Sequence, residues 1–137
     1  MVRVVLGVLL TVGAVTLGLA SAIHFGVRLV IEDPDSGASI PEAILAFVLV
    51  VGAASVWFRI RAAWGVALAT TLFGLAGVGF GFSLTVGSGR TGDIAYHASL
   101  LAVLVSTALL LLTPAARRTL RPARPDESPP TRESGSA

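Results

Sequence analysis

The chain has 137 residues, of which 54% are hydrophobic and 13% charged, with a mean hydropathy of +0.84. Ordinary soluble domains carry roughly 25% charged residues, so the composition argues against a water-soluble domain and for a bilayer as solvent. The net charge is only +2 despite a pI near 10.4, and the arginines sit at the ends of apolar runs, which argues against a nucleic-acid partner; cysteine is absent, which excludes disulfides and thiol chemistry.

The first apolar run covers 4–31, broken only by His24 and Arg28. Its start also has the form of a signal peptide, with Arg3, an apolar stretch and Ala20-Ser21-Ala22 as a cleavage site. The run continues past that site and exceeds the usual signal-peptide core of roughly 7–15 residues, so the expectation is an uncleaved first span. The second run covers 40–58. Ser39 and Glu42 have capping-box spacing before it, and Pro41 suits a first helical turn.

The third run, 62–86, contains no charged residue, and Trp57, Phe58 and Trp64 bracket its connection to the second at interfacial depth. The fourth run covers 94–113, with Gly92-Asp93 as its expected cap and Pro114 as its stop. Each run supplies about the 20 residues that a helix needs to cross ~30 Å of hydrocarbon. Open sheets leave backbone groups unpaired in lipid, so the expected fold class is all-α: an antiparallel bundle of four transmembrane helices over 1–113. The segment 114–137 holds five of the seven prolines together with Ser, Arg and acids, and is expected to be a disordered cytoplasmic tail.

Arginine bias sets the expected orientation. Arg3, Arg59, Arg61, Arg117, Arg118, Arg121 and Arg124 all fall on one side of a four-span topology. The other side carries Arg28 and Arg90 with Glu32, Asp33, Asp35, Glu42 and Asp93. Both termini are therefore expected in the cytoplasm of a cell with this protein in its plasma membrane. All ten basic residues are Arg and none is Lys, a usage that suits a GC-rich bacterial genome.

The chain matches itself at an offset of 55. Positions 14–53 agree with 69–108 at 13 of 40 sites, including Phe25/Phe80, Gly26/Gly81 and the run Val48-Leu49-Val50 with Val103-Leu104-Val105. This suggests two helical hairpins in parallel repeat. Small residues at Ala14, Gly18, Ala22 and Gly26, and at Gly77 and Gly81, form four-residue spacings that let helices approach closely, within the bundle or in a homodimer. Ala98, Ala102 and Ser106 repeat the spacing on the fourth helix.

The residues suited to chemistry are His24, Arg28, Glu42, Asp93, Tyr96 and His97. About 20 residues at 1.5 Å each raise His24 some 30 Å above residue 4, and Glu42 and His97 begin descending helices, so all reach the same outer boundary. Asp93 lies four residues before His97 and can orient its imidazole; Arg28 lies four after His24 and can pair with Glu42 or the loop acids. Capping accounts for Glu42 and Asp93, and an interfacial aromatic belt for Tyr96, whereas His24 has no such explanation. The run Gly87-Ser88-Gly89-Arg90-Thr91-Gly92 has the dinucleotide spacing but follows a membrane helix rather than a strand, and reads as a loop.

These features favour a non-enzymatic membrane module without a cofactor or bound metal. Its expected partners are the lipid bilayer and a membrane protein or second copy. The alternatives are a small-solute or proton transporter or channel, motivated by the repeat, and a haem- or metal-binding redox protein using His24 and His97.

Overall fold

The structure is a computed structural model and describes residues 1–27, 36–87 and 90–121, with the backbone alone at residues 36 and 37. Five helices are present among the described residues: α1 (Val2–His24), α2 (Ser36–Trp57), α3 (Ala63–Val86), α4 (Thr91–Leu112) and α5 (Pro114–Leu120). The first four each contain a stretch long and apolar enough to cross a membrane. Together they form the all-α bundle expected from the sequence.

Contacts along the chain give the register. Going from one end of the bundle to the other, α1 meets α2 through Gly7 and Trp57, Gly13 and Leu49, then His24 and Glu42. The numbers rise on one helix as they fall on the other, so the two are antiparallel. The same order runs from Gly52 with Thr70 to Gly77 with Leu45 between α2 and α3, and from Trp64 with Leu111 to Gly81 with His97 between α3 and α4. Contact of Gly13 with Leu100 and Leu104 closes α1 onto α4.

Large apolar side chains occupy both the interior and the exterior of this bundle. Leu6, Leu10, Leu17, Leu49, Leu104 and Leu111 are at most 2% exposed. Yet Phe47, Phe80, Leu84 and Leu109 are each more than 60% exposed. A surface of this kind in water would drive aggregation, whereas hydrocarbon solvates it. Hydroxyls are satisfied locally: Thr11, Thr71 and Thr107 each donate to the carbonyl four residues earlier on their own helix.

Helix ends depart from the sequence expectations in definite ways. The first helix stops at His24 rather than near residue 31. Gly26 adopts φ +85, its amide donates to the Ile23 carbonyl, and the Val27 amide donates to the Ala22 carbonyl. That is the Schellman pattern, in which a left-handed glycine terminates the helix whatever the hydrophobicity beyond it. Gly26 is therefore a helix stop, not a packing position, and a Cβ there would meet nothing.

The second helix starts at Ser36, a turn before the expected cap, so Ser39 and Glu42 are interior positions and Pro41 lies inside the helix. The fourth starts at Thr91 after Arg90, so Asp93 is in its first turn rather than at its cap. Ala98, Ala102 and Ser106 are exposed and face away from the bundle.

The start of the expected tail is ordered. After Thr113 turns extended, Pro114 opens α5, and the Thr113 hydroxyl accepts the Ala116 amide at 3.2 Å. Thr at the cap with Pro in the first turn is a helix-starting pair. Ala116 and Leu120, four apart, are buried against the core and hold α5 across the end of the bundle. The rest of the expected tail, from residue 122, lies outside the described residues, as do Arg28 and the acids at 32, 33 and 35.

Candidate functional site

The bundle has a polar end and an arginine-rich end. At the polar end, His24 in the last turn of α1 brings its Nδ1 to 2.9 Å from Glu42 Oε2 on α2. Both side chains are largely buried, at 16% and 8% exposure. The two atoms form a close contact but are not aligned as a hydrogen bond, and neither has another partner. One turn deeper, the Ser21 hydroxyl donates to the Ser39 carbonyl at 2.7 Å. Ser21 was not singled out by sequence. Its position one turn before His24, on the same helical face, is the signal that could have found it. The Ser39 carbonyl takes this bond inside α2, two residues before Pro41. The pair and the bond together clamp α1 to α2.

His97 is differently employed. Its Nδ1 lies 2.8 Å from the Asp93 backbone carbonyl, while the Asp93 carboxylate accepts from Arg90 Nε at 2.7 Å. The expected Asp93 carboxylate–imidazole contact is thus replaced by one through the main chain. The His97 ring sits against Gly81 and meets Tyr96 edge to face, with centroids 4.9 Å apart. Gly81 is where α3 and α4 approach closely enough to seat an imidazole between them. The Tyr96 hydroxyl is buried and without a hydrogen-bond partner, so it does not reach out to an interfacial belt.

Asp93, Tyr96 and His97 are within electrostatic range of the Glu42 carboxyl. Of the residues expected to cluster, His24 is in contact with Glu42, His97 is turned aside, and Arg28 lies outside the described residues. Positions 42 and 97, equivalent under the proposed duplication, make different contacts. Among the described residues, no group of three or more His, Asp or Glu side chains is placed to hold a metal ion.

Small residues carry the helix contacts, though not all where the spacing put them. Ala14 is buried, Gly77 packs on Leu45 and Gly81 on His97. Gly7 lies under the Trp57 indole and Gly52 against Thr70; neither belongs to a four-residue stripe, and only the facing bulky residue reveals them. Gly18 is only half-buried, near Ala46, and Ala22 is half-buried as well.

Gly18 lines a groove of about 500 Å³ between α1 and α2. Ala14, Ala46 and Ala53 contribute to it, with Phe47 and Phe58 alongside, and it is almost wholly apolar. Trp57 lines the groove too, and its Nε1 donates to Thr11 Oγ1 at 3.2 Å.

At the arginine-rich end, Arg3, Arg59, Arg61 and Arg121 line a second cavity of about 380 Å³. Trp64 donates from Nε1 to the Leu111 carbonyl at 2.9 Å, and its ring is covered by Arg117 at 5.1 Å and Arg121 at 4.3 Å. The tryptophans thus fasten neighbouring helices to one another at this end of the bundle.

Comparison with family models, with curated proteins and with solved structures finds no match. The fold and these two ends define the class alone: a small membrane protein built on four apolar helices.

Proposed function

We propose that this chain is a non-enzymatic module of the plasma membrane, with both termini cytoplasmic, that binds the transmembrane helix of a partner protein along the groove between α1 and α2. The groove carries this reading. Its α2 wall runs from Ala46 to Trp57 and covers about 17 Å at 1.5 Å per residue, more than half of a ~30 Å hydrocarbon core. Alanine and glycine along it let a second backbone approach closely, and van der Waals packing of that kind drives helix association in lipid. Its volume also falls within the usual range for binding clefts, roughly 300–1,000 Å³.

The polar end supports the non-enzymatic part of the reading. His24, Glu42, Ser21 and the Asp93 carbonyl are engaged in contacts between or within helices, which is the work of a clamp. Arginines at the end that carries the N-terminus and α5 support a cytoplasmic placement of that end.

The native chain lacks cysteine, so single Cys substitutions give clean cross-linking probes. Val15→Cys and Phe47→Cys in membranes should cross-link to a protein, and Gly18→Trp should suppress it. Phe80→Cys and Leu109→Cys, on exposed positions elsewhere, should not. Equal capture from both faces, or capture insensitive to Gly18→Trp, would sink the reading.

A further inference from the structure

The cavity at the arginine-rich end has features that topology alone does not require. Arg3 reaches it from the first turn of α1, Arg59 and Arg61 from the connection between α2 and α3, and Arg121 from the end of α5. Three separate parts of the chain therefore deliver arginines to one volume. Among the described residues no acidic side chain lines it, and the described acids, Glu42 and Asp93, are both at the opposite end. Among the described residues these four arginines have no ion pair.

Like charges gathered without a counter-charge repel one another, and a bound anion relieves that repulsion. Guanidinium groups present planar, forked donors that match the oxygens of a phosphate. Thr119 also lines the cavity, and Ile60, Ala63 and Leu120 make its apolar part.

Two further observations concern the arginines themselves. Arg59 has φ +54, a left-handed conformation, and the Ile60 amide donates to the Ser55 carbonyl at 3.3 Å. This is the helix-stop geometry that glycine fulfils at Gly26, here given to a residue that pays a steric cost to adopt it. A stop needs no side chain, so an arginine in that place is explained by what its side chain does. Arg121 is held over the Trp64 ring, 4.3 Å from its centroid, which limits the freedom of one cavity wall.

We propose that this cavity is a binding site for a single phosphate group, presented either by an anionic lipid headgroup or by a soluble phosphate compound. The ring of arginines at the membrane boundary takes the phosphate, and the apolar wall adjoins the medium in which a lipid's chains would lie. This is a stoichiometric site, distinct from diffuse attraction of basic residues to an anionic surface.

Native mass spectrometry of the full chain in detergent tests the assignment. One arm offers phosphatidylglycerol against phosphatidylcholine, and the other offers inorganic phosphate alone. One phosphatidylglycerol should be retained at least tenfold more than phosphatidylcholine, or one phosphate should be retained without lipid. The first result identifies the source as lipid and the second as soluble. Arg59→Gln with Arg61→Gln should lower retention at least tenfold. Arg117→Gln with Arg118→Gln removes the same charge outside the cavity and should change it less than twofold.

Equal losses from the two double variants would show diffuse attraction and overturn the site, as would no preference in either arm. Should R59Q/R61Q lose its helical circular dichroism, Arg59→Gly, which keeps the backbone geometry, replaces it with the same direction expected. Binding seen only after Asp126, Glu127 and Glu133 are all neutralised would make the chain's own acids the occupant and also overturn it.

Discussion

The two ends of the bundle handle charge in opposite ways. At the polar end two pairs form within the chain: His24 meets Glu42 inside the protein and Arg90 meets Asp93 at the surface. At the other end four arginines line a cavity with no described acid, and Arg117 and Arg121 rest on a tryptophan face. Charge spent within the chain fastens helices, while charge left over is available to something outside it. The number of ionisable residues is thus a poor guide to function, and the state of their pairing a better one.

Breaking the buried pair should have the largest effect. Glu42→Ala leaves His24 buried without its partner and should cost about 3 kcal/mol. Unfolding in mixed micelles, followed by circular dichroism, measures this. Adding His24→Ala should cost little more, because the pair is already lost, whereas additive losses would mean that the two residues act separately.

The packing between the ends comes next. A Cβ at Gly52 would collide with the Thr70 hydroxyl, so Gly52→Ala should cost about 2 kcal/mol in the same assay. Thr70→Ala in that background should recover part of it. Thr113→Ala removes the cap of α5 and should cost about 1 kcal/mol. Hydrogen exchange should accelerate across Pro114–Leu120 while the His24 end is unchanged; exchange rising equally at both ends would show that α5 is not a separate unit.

The remaining changes sharpen the contrast. Arg59→Gly relieves the left-handed strain and should raise stability by up to about 1 kcal/mol while emptying the phosphate cavity. Loss of both stability and binding would mean that Arg59 supports the fold. Asp93→Asn breaks a pair with side chains 47% and 32% exposed and should cost at most about 0.5 kcal/mol, shrinking further in 1 M salt. A cost comparable to that of Glu42→Ala would erase the distinction between buried and exposed pairs.

The apolar runs made the number and class of the helices legible, because hydrocarbon imposes a length and a composition that no other fold meets. Helix ends were less legible. A run of apolar residues passes through Gly26 without a mark, and only the conformation there shows that α1 has stopped. The segment after Pro114 misled through its prolines and arginines, although Thr113-Pro114 with Ala116 and Leu120 four apart carried the signal of a docked helix.

Depth along the helices brought His24 and Glu42 into the same layer, but depth does not specify rotation. That is why the turning aside of His97 toward its own backbone was beyond reach. The arginine cavity escaped notice for a related reason: Arg3, Arg59, Arg61 and Arg121 were read one by one as markers of sidedness, and convergence is a property of the assembled end.

Midway between the ends, Leu49 and Leu104 lie between Gly13 and Gly74, so that all four long helices meet in one layer. Both leucines are wholly buried, and neither glycine admits a Cβ without displacing them. The layer is aliphatic where the four helices meet. An ion entering from either face would have to surrender its hydration shell to aliphatic carbon, a penalty that hydrophobic constrictions exploit to stay shut. Passage of charge along the bundle axis would require the four helices to part at this layer.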